Sequence, residues 1–148
     1  MSYKGTFFPK HPEKYKGDVN GIFYRSLWER HVMVKLDLWD EVIEWSSEET
    51  IIPYRSPIDG KIHRYFPDFL VKLKDRTILI EVKPKAQTLE PKPPKRITKR
   101  FIGEVMEYGK NTAKWGAAKA YCMDRGWQFQ IMTEDHIFGK KKSKPKAK

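Results

Sequence analysis

Two carboxylates and an amine are spaced in this chain as a metal-assisted phosphodiesterase would need them. Asp68 closes the run Arg64-Tyr65-Phe66-Pro67-Asp68, and Glu81 and Lys83 stand two apart in Ile78-Leu79-Ile80-Glu81-Val82-Lys83. Hydrolysis of a phosphodiester requires charge neutralisation at the phosphate, an activated water and a stabilised leaving oxygen. Magnesium supplies much of this, and it takes one or two carboxylates plus waters rather than a full protein cage. Asp68 and Glu81 suit such a site, with the backbone carbonyl of Val82 as a third ligand. Lys83 adds a compact, movable positive charge that can orient the water or offset negative charge. The plainer reading is a strand-edge turn at Pro67-Asp68 and a solvated ion pair between Glu81 and Lys83. Against it stands the cost of burying two carboxylates beside Phe66 and Leu70 without a cation.

For these groups to meet, the chain around them must form a hairpin. Residues 64–71 and 78–83 are apolar and β-branched or aromatic, and Lys74-Asp75-Arg76-Thr77 between them reads as a turn. Alternation puts Glu81 and Lys83 on the face of Leu79, and Asp68 on the face of Phe66 and Leu70. An even loop makes paired residue numbers sum to an odd value such as 149 or 151, which brings Asp68 to the face of Glu81. An odd loop sends it to the other face. With the even loop the two Cβ atoms lie roughly 5 to 8 Å apart, close enough to grip one ion.

The remaining elements follow from pattern. Residues 1–21 are polar and punctuated by glycine and proline, which predicts an irregular arm. Over residues 23–40, Tyr24, Trp28, Val32, Leu36 and Trp39 recur at helical spacing with no interruption, so a first helix is expected there. Short strands are expected at 41–45 and 50–54, then the hairpin of 62–83. Four prolines between Pro84 and Pro94 form a stiff loop. A second helix is expected over 98–124, weakened by Gly103, Gly109 and Gly116 and stopped by Arg125-Gly126, followed by a strand at 127–132 and a turn capped by Thr133-Glu134-Asp135. The whole predicts an α/β fold, a mixed sheet flanked by helices, with one domain over 22–138 and a basic, flexible tail over 139–148.

Composition narrows the class. The chain has 148 residues and a formal net charge of +11, a balance that favours a polyanionic partner, double-stranded DNA above all. Lys92, Lys95, Arg96, Lys99 and Arg100 cluster after the hairpin, where they and Lys85 can hold a DNA backbone, and Gln87 can touch DNA or a metal-bound water. Lys140 to Lys148 hold six lysines and no acid, the pattern of a solvated end. The single cysteine, Cys122, excludes an internal disulfide and a cysteine zinc site and suits a reducing compartment. His11, His31, His63 and His136 show no metal-ligand spacing. No apolar run reaches the length of a membrane span and the start lacks the core of a signal peptide, so no membrane partner is expected. Trp28, Trp39, Trp45, Trp115 and Trp127 fall in predicted elements and read as packing residues.

Two further residues stay open from spacing alone. Glu29 sits at the margin of the first helix's apolar stripe, where it either reaches the sheet or pairs with Arg25 at i, i+4 on the surface. Arg25 is a phosphate contact in the first case and a surface partner in the second. Arg64, just before the active strand, can likewise reach a phosphate.

With those residues in place, the hairpin from Pro67-Asp68 to Glu81-Val82-Lys83 resembles the PD-(D/E)XK, restriction-endonuclease-like superfamily. Tyr24-Arg25-Ser26-Leu27-Trp28-Glu29 resembles the helix motif that carries its additional acidic ligand. The combination is similar to the endonuclease subunits of heteromeric transposases. Residues 24–29, 42–49, 52–57 and 63–69 look like the head completion nucleases of T-even-type tailed phages. The resemblance implies Glu29, Asp68, Glu81 and Lys83 as catalytic positions, with Mg2+ as cofactor and Mn2+ able to substitute. It implies a metal-dependent DNA endonuclease acting in phage head completion in the host cytoplasm, with head or portal proteins as partners; cutting both strands would favour a homodimer, for which no segment shows an interface. The alternatives are a junction-resolving nuclease of the same fold and a non-catalytic DNA-binding virion protein.

Overall fold

The structure is a computed structural model that describes residues 4–139. Eight strands and three α-helices run β1 (Gly5–Thr6), β2 (Phe23–Tyr24), α1 (Leu27–Leu38), β3 (Val42–Ser47), β4 (Ile52–Arg55), β5 (Ile62–Tyr65), β6 (Phe69–Leu73), β7 (Thr77–Val82), α2 (Lys99–Arg125), β8 (Gln128–Met132) and α3 (Glu134–Phe138). Strands β3-β6-β7-β8 form the central sheet. Its first two pairings are antiparallel and β7–β8 is parallel, so the sheet is mixed. Two small ribbons, β1–β2 and β4–β5, stand apart from it.

Alternation along β6 and β7 feeds two separate apolar layers. Phe69, Val71, Ile78 and Ile80 face Val32, Met33 and Leu36 of α1. Leu70 and Leu79 face Trp115, Ala118 and Cys122 of α2, together with Ile52, Tyr54 and Tyr65 of the β4–β5 ribbon. A sheet buried on both faces by helices is the sandwich that the order of elements predicts.

Helix α2 stays continuous through its three glycines. Thr98 caps it by accepting the Phe101 N–H at 3.1 Å, and Gly126 ends it at φ 71°, a left-handed conformation that needs no Cβ there. The caps and the buried face of Trp115, Ala118 and Cys122 outweigh the roughly 1 kcal/mol that each interior glycine costs.

Two expectations change. The strand expected over 64–71 is two strands in different sheets, β5 and β6, separated at Phe66-Pro67-Asp68. Pro67 has no N–H to give a ladder and is fully buried at the break. The helix expected from residue 23 begins at Leu27, because Ser26 is extended and its hydroxyl accepts the Glu29 N–H; Phe23 and Tyr24 instead pair with β1. Residues 4–21 have little regular structure, as expected, but they are packed onto the domain. Phe7 and Tyr15 are buried against Trp45 at centroid distances of 5.9 and 4.7 Å. The buried carboxylate of Asp37 accepts the N–H groups of Lys10 and His11 at 2.8 and 2.9 Å, tying this segment to α1. The basic tail from residue 140 lies outside the described residues.

Candidate active site

The register of the central hairpin decides whether the carboxylates meet. Phe69 pairs with Ile80, Leu70 with Leu79, Val71 with Ile78 and Lys72 with Thr77. Each pair of residue numbers sums to 149, the even-loop case. The turn is closed by the Leu73 N–H donating to the Arg76 carbonyl at 2.7 Å. Asp68 immediately precedes β6, and one more step of the same register sets it opposite Glu81.

Hydrogen bonds fix both side chains. Asp68 Oδ2 accepts the Val82 N–H at 2.7 Å. Glu81 Oε2 accepts the Tyr65 hydroxyl at 2.9 Å. Successive residues of a strand address opposite edges, and the Lys83 N–H goes the other way, to Met132 of β8. The Val82 carbonyl therefore points to the same side as its N–H, toward Asp68.

Electrostatics set these carboxylates apart. Burial pushes the Asp68 carboxyl well above the usual carboxylate range, and the charge of Glu81 pushes it further, while the Val82 N–H works against both. Burial also raises Glu81, opposed by the Tyr65 hydroxyl and then by Lys83. Two largely desolvated carboxylates, one of them raised further by the charge of the other, are poorly satisfied by protein groups alone. A hard cation between them would offset both the repulsion and the lost hydration. Among the described residues no three His, Cys, Asp or Glu side chains gather at metal-holding spacing. Two carboxylates and a backbone carbonyl are oxygen donors of the kind that hard divalent cations such as magnesium and manganese take.

Glu29 approaches from α1. Its Oε2 accepts the Arg25 backbone N–H at 3.0 Å, its carboxyl is raised by burial, and its charge acts on Asp68. It therefore faces the sheet end instead of pairing with the Arg25 side chain. That guanidinium pairs with Glu48 at 3.2 Å.

The expected DNA-contact residues do not form one surface element. Arg64 stacks on the exposed Phe66 ring at 5.7 Å. Lys85 is engaged elsewhere, its N–H on Glu134 at 2.7 Å and its Nζ on Asp135 at 3.3 Å. Gln87 and Lys92 line a groove of 570 Å³ between the proline-rich loop and α2. Lys95, Arg96, Lys99 and Arg100 are exposed at the start of α2, with Arg100 paired to Glu104 at 3.3 Å. Of the tryptophans, Trp45 and Trp115 are buried, while Trp39 is exposed.

Three neighbours of the site are not evident in the sequence pattern. Tyr65 lies beyond the strand break, so alternation gives no hint that it reaches Glu81. Glu48 holds a left-handed backbone at φ 56° while its N–H donates to the Asp68 carbonyl at 3.0 Å. Strain of that kind persists where the surroundings enforce it. Lys114 comes from α2; its only sequence signal is an i, i+4 pairing with Lys110 beside the buried Trp115.

A family model described as "TnsA-like endonuclease N terminal" matches residues 40–134, a span that contains Asp68, Glu81 and Lys83. The chain belongs to the TnsA-like endonuclease family. Its mixed sheet with flanking helices is accordingly a restriction-endonuclease-like fold, and membership makes the chain an endonuclease. The chain is also similar to the "Head completion nuclease" of Enterobacteria phage T4, with 41% identity over 142 residues, covering 93% of this chain and 95% of that protein. Glu29 lies outside the span matched by the TnsA-like model.

Proposed function

We propose that this endonuclease cuts DNA in a divalent-metal-dependent reaction during phage head completion. The observation that carries the reading is the pairing of two half-buried, mutually opposed carboxylates, Asp68 and Glu81, at the end of a central hairpin. Asp68, Glu81 and the Val82 carbonyl would hold Mg2+, or Mn2+ in its place, with Glu29 as the additional acid. The bound cation would supply an acidified water and neutralise charge on the phosphate.

The chain's own groups do the rest. The Val82 N–H and the Tyr65 hydroxyl hold the two carboxylates in place, so their positions do not depend on loop order. Lys83, on the Glu81 face one residue past β7, orients the attacking water and offsets charge on the phosphate. Arg64 and the exposed Phe66 ring, stacked at 5.7 Å, lie two to four residues before Asp68 in the chain. The net charge of +11 favours approach of duplex DNA, the proposed substrate. Under this reading its partners would be phage head or portal proteins and its place of action the host cytoplasm, a reading supported by its similarity to a protein named a head completion nuclease. No helix among the described residues is long and apolar enough to cross a membrane.

Incubation of the purified protein with supercoiled, linear and branched DNA tests this reading. Cleavage in Mg2+, none in EDTA, and none by Asp68→Ala with DNA binding retained are the expected results. Equal cleavage by Asp68→Ala would overturn it, and strong preference for the branched substrate would favour the junction-resolving alternative.

A further inference from the structure

Lys114 occupies an unusual place for a helix lysine. Its Nζ stands over the rings of Tyr65 and Tyr54, 5.5 and 5.8 Å from their centroids. Tyr65 is the residue whose hydroxyl holds Glu81. Lys114 is half-buried, and among the described residues it forms no ion pair. Its neighbour one turn back, Lys110, is paired with Glu107 at 3.4 Å.

The chemistry of that position is specific. Burial lowers the Lys114 ammonium, the positive charges of Lys110 and Lys83 lower it further, and Glu81 is close enough to raise it. Like charges at i, i+4 are unfavourable on a helix, and a half-buried ammonium without a carboxylate partner loses hydration it does not recover. The two ring faces return part of that loss. An anion delivered from outside would return more. Asp68 and Glu81 form a carboxylate pole, and Lys83 and Lys114 both act electrostatically on Glu81; a phosphodiester held at that pole through a cation would present its remaining negative oxygens to such lysines.

We propose that Lys114 is a phosphate contact of the active site, reaching a non-bridging oxygen of the DNA backbone from the α2 side while the carboxylate pole addresses the scissile bond. This rests on the endonuclease reading for its substrate, and it adds a residue from a different element to the set in the hairpin. Lys83 and Lys114 then approach the phosphate from β7 and from α2, which fixes its position in two directions. An ammonium on a long stem held by two tyrosine faces is suited to that task, because the rings restrict the stem without consuming the charge.

The competing explanation is a lysine whose stem merely covers apolar ring surface. Lys114→Met keeps the stem and removes the charge. Lys119→Met, about 140° around α2 at 100° per residue, removes an equal charge from another face and serves as control. The first measurement is DNA affinity in EDTA against salt concentration, using a short linear duplex. Lys114→Met is expected to weaken binding about fivefold or more and to reduce the slope of log affinity against log salt by about one, with Lys119→Met leaving the slope near the wild-type value. The second is the single-turnover cleavage rate in Mg2+, expected to fall at least tenfold in Lys114→Met and to recover in part in Lys114→Arg. The Mg2+-induced rise in melting temperature should be the same in Lys114→Met as in wild type, since Lys114 is not a metal group. A Lys114→Met protein that matches Lys119→Met in salt slope overturns the proposal. Failure of the endonuclease reading looks different: no cleavage by wild type on any DNA, with the salt-slope comparison still deciding Lys114.

Discussion

Replacing Asp68 by asparagine should stabilise the metal-free protein while destroying its activity. Directly opposed residues of an antiparallel pair have Cβ atoms about 5 Å apart. Two unit charges at that separation repel by roughly 3 kcal/mol at an effective dielectric constant of about 20. Solvent access and side-chain adjustment reduce this, so about 1 to 2 kcal/mol should be recovered on neutralising one carboxylate. Asparagine preserves the acceptor for the Val82 N–H, and its amide can donate to Glu81. For a chain of this size each kcal/mol moves the melting temperature by roughly 3 to 4 °C, so Asp68→Asn should melt about 3 to 8 °C higher in EDTA. The pH dependence has a definite sign. The folded-state value of Asp68 lies above its unfolded value, so its stability contribution is full below the ordinary carboxylate pKa and is lost as pH rises through the raised value. The advantage of Asn is therefore present at neutral pH and vanishes below about pH 4. Saturating Mg2+ should reverse the order, since a ligand at a hundred times its Kd stabilises only the wild type, by about 2.7 kcal/mol. Thermal melts by circular dichroism in EDTA and in Mg2+, with plasmid nicking alongside, read all of this. An Asp68→Asn protein that melts lower than wild type in EDTA, or that still gains stability from Mg2+, would refute the reasoning.

Other predictions follow from the same contacts. Tyr65→Phe removes the hydroxyl that holds Glu81 and should weaken Mg2+ binding by about 10- to 100-fold in a metal titration of cleavage, leaving DNA affinity in EDTA unchanged. Glu48→Gly relieves a left-handed backbone at φ 56° and removes a charge that opposes ionisation of Asp68 and Glu29, so it should raise the melting temperature in EDTA by a few degrees. Asp37→Ala leaves the N–H groups of Lys10 and His11 without their acceptor and should cost about 3 kcal/mol, seen as a melting temperature roughly 10 °C lower with the cleavage rate per folded molecule intact.

The sequence made the hairpin and its chemistry readable because both depend on local rules. A short polar turn after Lys74 and the alternation of Ile78 to Lys83 left Asp68 on the face of Glu81 if the loop was even, and the observed sum of 149, with a four-residue loop, is one of the two such registers. The stop of α2 at Gly126 was readable for the same reason. The break at Pro67 was not, since a proline in a strand-like run is equally compatible with an edge strand, and only the separate pairing of β4 with β5 shows that the chain changes sheets there. The N-terminal segment looked irregular because its order comes from tertiary partners: Trp45 for Phe7 and Tyr15, and Asp37 for Lys10 and His11. Tyr65, Glu48 and Lys114 escaped for a related reason. Each reaches the carboxylates across elements, and periodicity carries no information about which elements end beside one another. The basic residues after the hairpin are exposed at and before the start of α2, where Lys85 and Arg100 make surface pairs with Asp135 and Glu104.

A crystal soaked in Mn2+ and measured for anomalous scattering addresses the central claim most directly. A peak within about 2.3 Å of oxygens from both Asp68 and Glu81, with the Val82 carbonyl beside it and absent from crystals of Asp68→Asn, is the predicted result. Manganese bound only at exposed acids such as Asp59, with none between Asp68 and Glu81, would contradict it.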